Sequence, residues 1–277
     1  MELFEGRSII RFSHLFSTEE KCKKYLYELK WKNGFLCSKC NHTHCWEGKC
    51  YTKVCKNCRH VESATSNTLF HKVRFGLRKA LFILFEMSTT TKSCSSTVLA
   101  AKYDITQKTA WLFMSKVRKA MDLMVEQPLE GPSQVLKVII GNAKESSTGR
   151  GPGKGKSVGV AVDISGHFGI RRGYAINLAI GKKNAKNDVE KIKMLPLFKQ
   201  YNQKSSMSPT QIKRYVKSLK DWLSGIHHQV SAHYLQGYLN EFSFRFNHYN
   251  KKSQLFHLLV ENMIASNPAP YKLLNKT

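Results

Sequence analysis

Cys37-Ser38-Lys39-Cys40 and Cys55-Lys56-Asn57-Cys58 decide how the front of this 277-residue chain folds. The two Cys-x-x-Cys pairs stand 14 residues apart. Together they offer four thiolates, a complete tetrahedral shell for structural Zn²⁺. A closed shell leaves no open coordination position, so the spacing predicts a metal that folds a ribbon over residues 35–65 and performs no chemistry. His42, His44, Cys45 and Cys50 lie between the pairs as alternative ligands. Lys39, Lys49, Lys53, Lys56 and Arg59 surround the site and suit phosphate contacts.

On the N-terminal side, Ser17-Thr18-Glu19-Glu20 reads as a capping box with Ser17 as N-cap, predicting a helix over 18–31 inside a helical segment 1–34. On the C-terminal side, an apolar helix is expected over 73–88, followed by helices over 95–103 and 106–125 joined by a tight turn. This last pair has the layout of a helix-turn-helix. Ala100 is small where a second helix must approach, Asp104 and Ile105 form the turn, and Thr106 caps the second helix. Gln107, Lys108 and Thr109 then open the helix that would meet base edges, with Lys116, Arg118 and Lys119 placed for phosphates. Trp111, Leu112 and Val117 are read as facing the core. The helical and helix-turn-helix region is set at 66–127.

Pro128, Gly131 and Pro132 mark a boundary. A second domain, 133–277, follows. Strands are expected over 135–140, 158–164 and 168–176, the last two joined by a turn at Ser165-Gly166. A Gly/Lys/Ser loop fills 147–156, and 182–204 is polar and irregular. Helices are expected over 210–223, 231–246 and 253–265.

Charge narrows the partner. Lys and Arg total 45 against 19 Asp and Glu, a net +26. Residues 1–130 carry a net +10 and residues 131–277 a net +16. A surface this basic repels itself unless it meets a polyanion, so nucleic acid is the partner expected of both halves, and the helix-turn-helix makes that partner double-stranded DNA. No basic amphipathic anchor and no apolar run near 20 residues is present, so no membrane partner is expected. The first seventeen residues carry Glu2 and Glu5 and no long apolar run, so a secretory signal is not expected either. The eight cysteines are then read as belonging to a reducing compartment, as ligands rather than disulfides.

The order of ribbon, apolar helix, helix-turn-helix, strands and helical end resembles the ISXO-type insertion-sequence transposases of bacteria. The likeness at the front spans residues 25–121, including both cysteine pairs and Ser66-Asn67-Thr68-Leu69-Phe70. At the back it rests on Leu219-Lys220-Asp221-Trp222-Leu223-Ser224-Gly225-Ile226-His227-His228-Gln229-Val230-Ser231. It continues through Tyr234-Leu235-Gln236-Gly237-Tyr238-Leu239-Asn240-Glu241-Phe242-Ser243-Phe244-Arg245-Phe246-Asn247. The resemblance implies an α+β chain in which a ribonuclease-H-like α/β domain follows the DNA-binding front. It also implies a cytoplasmic, nucleoid-associated protein acting on terminal inverted repeats, with homo-oligomers open. Such enzymes hold two metal ions, usually Mg²⁺, on carboxylates for in-line attack at phosphodiesters.

This sequence departs from that pattern where the acids should stand. By the resemblance, Ile139 occupies the position of the first aspartate and Lys213 that of the last glutamate. The strand that should carry the second acid is missing, so the domain reads as truncated. After residue 131 the acids are Glu145, Asp163, Asp188, Glu190, Asp221, Glu241 and Glu261. Asp163 is read as capping a turn, Glu241 as packed or salt-bridged, and Asp221 as a solvated helix residue. His227, His228 and His233 are read as helix-end or packing residues. No catalytic residue is assigned, and the Mg²⁺ expected of the family is not expected to bind here. A deleted transposase that keeps DNA binding, an active one with its acids elsewhere, and a domesticated DNA-binding regulator are the readings that follow.

Overall fold

The computed structural model describes residues 6, 8–90, 93–122, 133–140, 156–163, 172–178, 210–226, 230–251 and 253–269. It is a mixed α+β chain, and the described residues form two three-stranded antiparallel sheets. Contacts divide it into two units, Met1–Ala120 with Asn250–Leu274, and Met121–Tyr249 with Asn275–Thr277. The predicted loops over 147–156 and 182–204 lie wholly or mostly outside the described residues, as do the Ser165-Gly166 turn and Pro128, Gly131 and Pro132.

The first unit opens with α1 (Ile9–Leu15) and α2 (Glu19–Lys30). The N-cap of α2 is Thr18, whose hydroxyl accepts from the Lys21 N–H at 3.2 Å. Ser17, read as the cap, instead accepts from the Lys21 ammonium at 2.9 Å. The ribbon strands β1 (Cys45–Gly48), β2 (Thr52–Cys55) and β3 (Val61–Ser63) follow, in the order β1-β2-β3. Next comes α3 (Leu77–Thr89), an apolar helix buried at Leu77, Ala80, Leu81, Ile83, Leu84, Phe85 and Met87. Arg78, Lys79, Phe82 and Glu86 form its less buried side, so the helix is amphipathic with a wide apolar face turned to the core.

The N-terminus of α3 is capped from α2. The Glu19 carboxylate accepts from the Leu77 and Arg78 N–H groups, each at 3.0 Å. Both are donors a helix start cannot satisfy itself, and a carboxylate there also complements the helix dipole. Gly76 lets it approach: its φ is +96°, and a Cβ there would stand 2.7 Å from Glu19 Oε1.

The last helix among the described residues, α8 (Leu255–Ala265), packs in this first unit, against α2 and α3. Phe256 meets Phe12 and Phe16 at ring-centroid distances of 5.0 and 5.7 Å. A boundary near 133 groups residues 255–265 with the second domain, but their buried Leu255, Phe256, Leu259, Val260 and Met263 complete the first core.

In the second unit β4 (Ser133–Ile140), β5 (Lys156–Asp163) and β6 (Arg172–Asn177) form an antiparallel meander. One sheet face, through Val138, Val158, Val160, Val162 and Ala175, buries against α6 (Thr210–Ile226) and α7 (Leu235–Asn247). Tyr215 of α6 lies over β6, where only glycine fits: a Cβ on Gly173 would sit 2.2 Å from the ring.

Helix α7 covers the free edge of β6 with side chains. Asn247 Oδ1 accepts from the Gly173 N–H at 2.8 Å and Ser243 Oγ from the Ala175 N–H at 3.2 Å. Gln236 Oε1 accepts from the Asn177 N–H at 2.8 Å, and Gln236 donates to Asn240 Oδ1 at 2.6 Å. Positions 236, 240, 243 and 247 form one helical stripe, and 173, 175 and 177 are the outward N–H groups of one strand edge. A buried N–H left without its acceptor costs about 1–3 kcal/mol, so the polar residues of this helix hold the sheet rather than coat a surface. The same helix buries Glu241, which pairs with Arg245 at 3.0 Å. Asp221 is exposed on α6. Asp163 is 1 % exposed at the end of β5.

Candidate metal centre and nucleic-acid interface

Cys37, Cys40, Cys55 and Cys58 come together with all four Sγ atoms within 4.8 Å of one another. Cys37–Cys58 and Cys40–Cys55 stand at 3.6 Å. Four metal–sulfur bonds of about 2.3 Å in a tetrahedron put sulfurs about 3.8 Å apart, so the shell could hold a tetrahedral metal ion. Among the described residues this is the one group of three or more His, Cys, Asp or Glu side chains close enough to share a metal. His42, His44, Cys45 and Cys50 stay outside it.

The two pairs are built alike. The Cys37 N–H donates to His42 O and the Cys55 N–H to His60 O, both at 2.9 Å. Asn41 and Arg59, each following the second cysteine of its pair, take φ of +57° and +58°. Left-handed backbone turns each loop back so that its N–H groups point at sulfur. Such a hydrogen bond from His42 brings Cys40 down to about 6. The His60 N–H favours the Cys58 thiolate too, but desolvation and the three neighbouring sulfurs push Cys58 up to about 12. Four thiols in one shell cannot all ionise by themselves; a divalent cation is what such a donor set accommodates.

Two buried charges outside the shell hold it in place, and neither was legible in the cysteine spacing. The Glu62 carboxylate accepts from the Ser38 N–H at 2.8 Å, inside the first pair. Lys30 of α2 lies 3.5 Å from Glu62 and donates to Ser63 O and Ser66 O at 2.9 and 2.7 Å. Burial holds the Lys30 ammonium below its ordinary value. Burial opposes the Glu62 charge as well, yet the Ser38 hydrogen bonds and Lys30 keep its carboxyl below the usual range.

Helices α4 (Ser96–Tyr103) and α5 (Gln107–Asp122) meet at Asp104, whose φ of +48° turns the chain. The Ile105 N–H closes the turn on Ala100 O at 3.1 Å. Thr106 caps α5, its hydroxyl accepting from the Thr109 N–H at 3.2 Å. Helix α4 is tied to α3 through Glu86, which pairs with Lys102 and accepts from Tyr103 Oη at 3.1 Å.

Gln107, Lys108 and Lys119 are exposed. Lys108 and Lys119 lie three turns apart on one side of α5. Gln107 donates to Thr97 Oγ1 at 3.2 Å, bracing the two helices. Thr109 is half-buried, its hydroxyl 2.9 Å from that of Thr106. Lys116 points inward: it is half-buried, donates to His71 O at 3.2 Å, and burial lowers its pKa. It lines a cavity of about 660 Å³ with His71, Arg74, Phe75 and Phe113. Arg118 is 3 % exposed, so the structure does not present it to a phosphate. Its position follows from the helical period, one turn beyond buried Met114 and next to buried Val117. Val117 is in the core as expected, while Trp111 and Leu112 are half-buried.

A basic chain thus joins a four-cysteine ribbon to two helices in helix-turn-helix order. Residues 188–247 match the ISXO2-like transposase domain family, which supports the resemblance to insertion-sequence transposases there. No curated protein and no solved structure matches the chain. The match includes α6 and α7, and hence the stripe that covers the β6 edge. It begins at Asp188, which with Glu190, Glu145, His227 and His228 lies outside the described residues. Among the described residues no helix is long and apolar enough to cross a membrane.

Proposed function

We propose that this chain is a DNA-binding protein of the insertion-sequence transposase type that has lost strand-transfer chemistry. A zinc ribbon and the α4–α5 helix-turn-helix hold duplex DNA, and a truncated ribonuclease-H-like unit adds phosphate contacts. The observation that carries the reading is the transposase-domain match, on a chain whose α5 starts with capped, exposed Gln107 and Lys108. A helix start of this kind, on a chain of net +26, suits entry into a major groove.

The loss of chemistry rests on what stands where the resemblance puts the acids. Ile139 is 58 % exposed on β4. Lys213 is exposed on α6 beside Arg214, Lys217 and Lys220. An ammonium at that vertex would repel the cation that a glutamate holds, whereas four cations on one helix suit a phosphate backbone. A second reading, an active transposase, draws on Asp188 and Glu190 at the start of the family match. Metal-dependent cleavage distinguishes the two.

The DNA-binding arm has its own test. Lys108→Ala with Thr109→Ala is expected to cost the preferred duplex sequence several-fold more affinity than random duplex, measured by competition at fixed salt. Equal loss on both duplexes contradicts base readout by α5.

A further inference from the structure

The ribbon sheet has two unlike faces. Glu47, Lys53 and Glu62 share one register row across β1, β2 and β3. That row packs on α2: Tyr27 donates to Glu47, Lys53 lies 5.4 and 5.5 Å from the Tyr27 and Trp31 rings, and Lys30 pairs with Glu62. The adjacent row, Trp46–Val54–Val61, must point the other way. It is apolar and open, with Trp46 43 % and Val61 56 % exposed.

Two cations lie over the Trp46 ring: Lys56 Nζ and Arg59 Cζ stand 5.8 and 5.1 Å from the indole centroid. Both belong to the second cysteine pair, and Arg59 is fixed there by its φ of +58° and its N–H bond to Cys55 O at 3.1 Å. The backbone of the second cysteine loop therefore anchors the two charges that reach over the ring.

We propose that Trp46, Val54 and Val61 form a stacking platform for the unpaired bases of single-stranded DNA, with Lys56 and Arg59 on its phosphates. The proposal rests on the DNA-binding reading but names a separate surface for a separate form of DNA. A flat apolar row gains from a flat apolar partner, and flanking cations call for an anionic one. A single strand offers both along its length, because every base has an exposed face and every nucleotide a phosphate. A duplex keeps its base faces stacked inside and offers this row only phosphates.

The test uses the full, metal-loaded chain, a labelled oligodeoxythymidine and a random-sequence duplex. Trp46→Ala is expected to weaken oligodeoxythymidine binding about tenfold or more while duplex binding is unchanged. Trp46→Phe keeps most of the affinity but loses the oligonucleotide-induced quenching of indole fluorescence, which decides the matter if Trp46→Ala fails to hold metal. Lys56→Gln should flatten the salt dependence on the single strand by a slope of about 0.7. The Lys108→Ala, Thr109→Ala protein should bind oligodeoxythymidine like the wild type, so failure of the α5 reading shows only on duplex. Unchanged oligodeoxythymidine binding and quenching in the Trp46 variants overturns the platform, as does equal loss on strand and duplex. Conversion of a wild-type dimer to a monomer by Trp46→Ala, with oligodeoxythymidine affinity intact, assigns the row to a protein interface instead.

Discussion

Replacing Cys37 with serine is expected to release the metal and unfold residues 35–65. Binding of structural zinc is worth about 10–16 kcal/mol in small zinc modules, and that free energy is folding free energy because no site exists in the unfolded segment. The ribbon has little else: its own core is Phe35, Cys37 and Cys55, with Trp31, Cys40, Cys45 and Cys58 packed against it. Metal analysis should fall from one ion per chain to none, and limited proteolysis should open the segment first. Cys50→Ser is the control, since Cys50 is exposed and outside the sulfur shell. One metal per chain retained in the Cys37 variant would mean that the ligand set is wrong.

The second large effect is expected at Lys30. Lys30→Met keeps the length of the side chain and removes an ammonium that serves Glu62, Ser63 O and Ser66 O together. Breaking a buried pair by deleting one partner costs about 3–5 kcal/mol, because the other charge stays buried without its counter-ion. The loss should appear in denaturant unfolding of the metal-loaded protein. The acid side supplies the sign. Glu62 is held below its ordinary value, so its contribution is present at neutral pH and lost as the pH falls through its folded pKa. Without Lys30 that folded value rises and less stability remains to be lost in acid. A Lys30→Met protein within 1 kcal/mol of wild type and with the same acid limb would remove Lys30 from this role.

The sequence displayed the parts whose partners are near in the chain. Paired cysteines and the Asp104-Ile105-Thr106 turn are local patterns, and their geometry follows from spacing. Glu19 shows the limit: its cap acts on Leu77 and Arg78, and no local pattern names a partner that distant. The polar stripe at Gln236, Asn240, Ser243 and Asn247 reads as a solvated helix face until β6 is placed beside it. The return of α8 to the first core is invisible for the same reason. Other differences were open to reading. Arg118 falls on the buried side of α5 by the period that buries Phe113, Met114 and Val117. Ser17 and Thr18 both suit an N-cap, and the Lys21 side chain engages Ser17 while the Lys21 N–H takes Thr18. Trp46 alternates away from Glu47 on a short strand, a signal present in the sequence once the hairpin register is known.

In this chain DNA binding is expected to remain and cleavage is not. One titration addresses both: the metal-loaded protein against an end-labelled duplex carrying its preferred site, with Mg²⁺ or Mn²⁺ present, resolved on native and denaturing gels. The expected result is a retarded complex on the native gel and an intact strand on the denaturing gel in either metal. A nicked or joined product that requires the divalent ion, or the absence of any retarded complex, would contradict it.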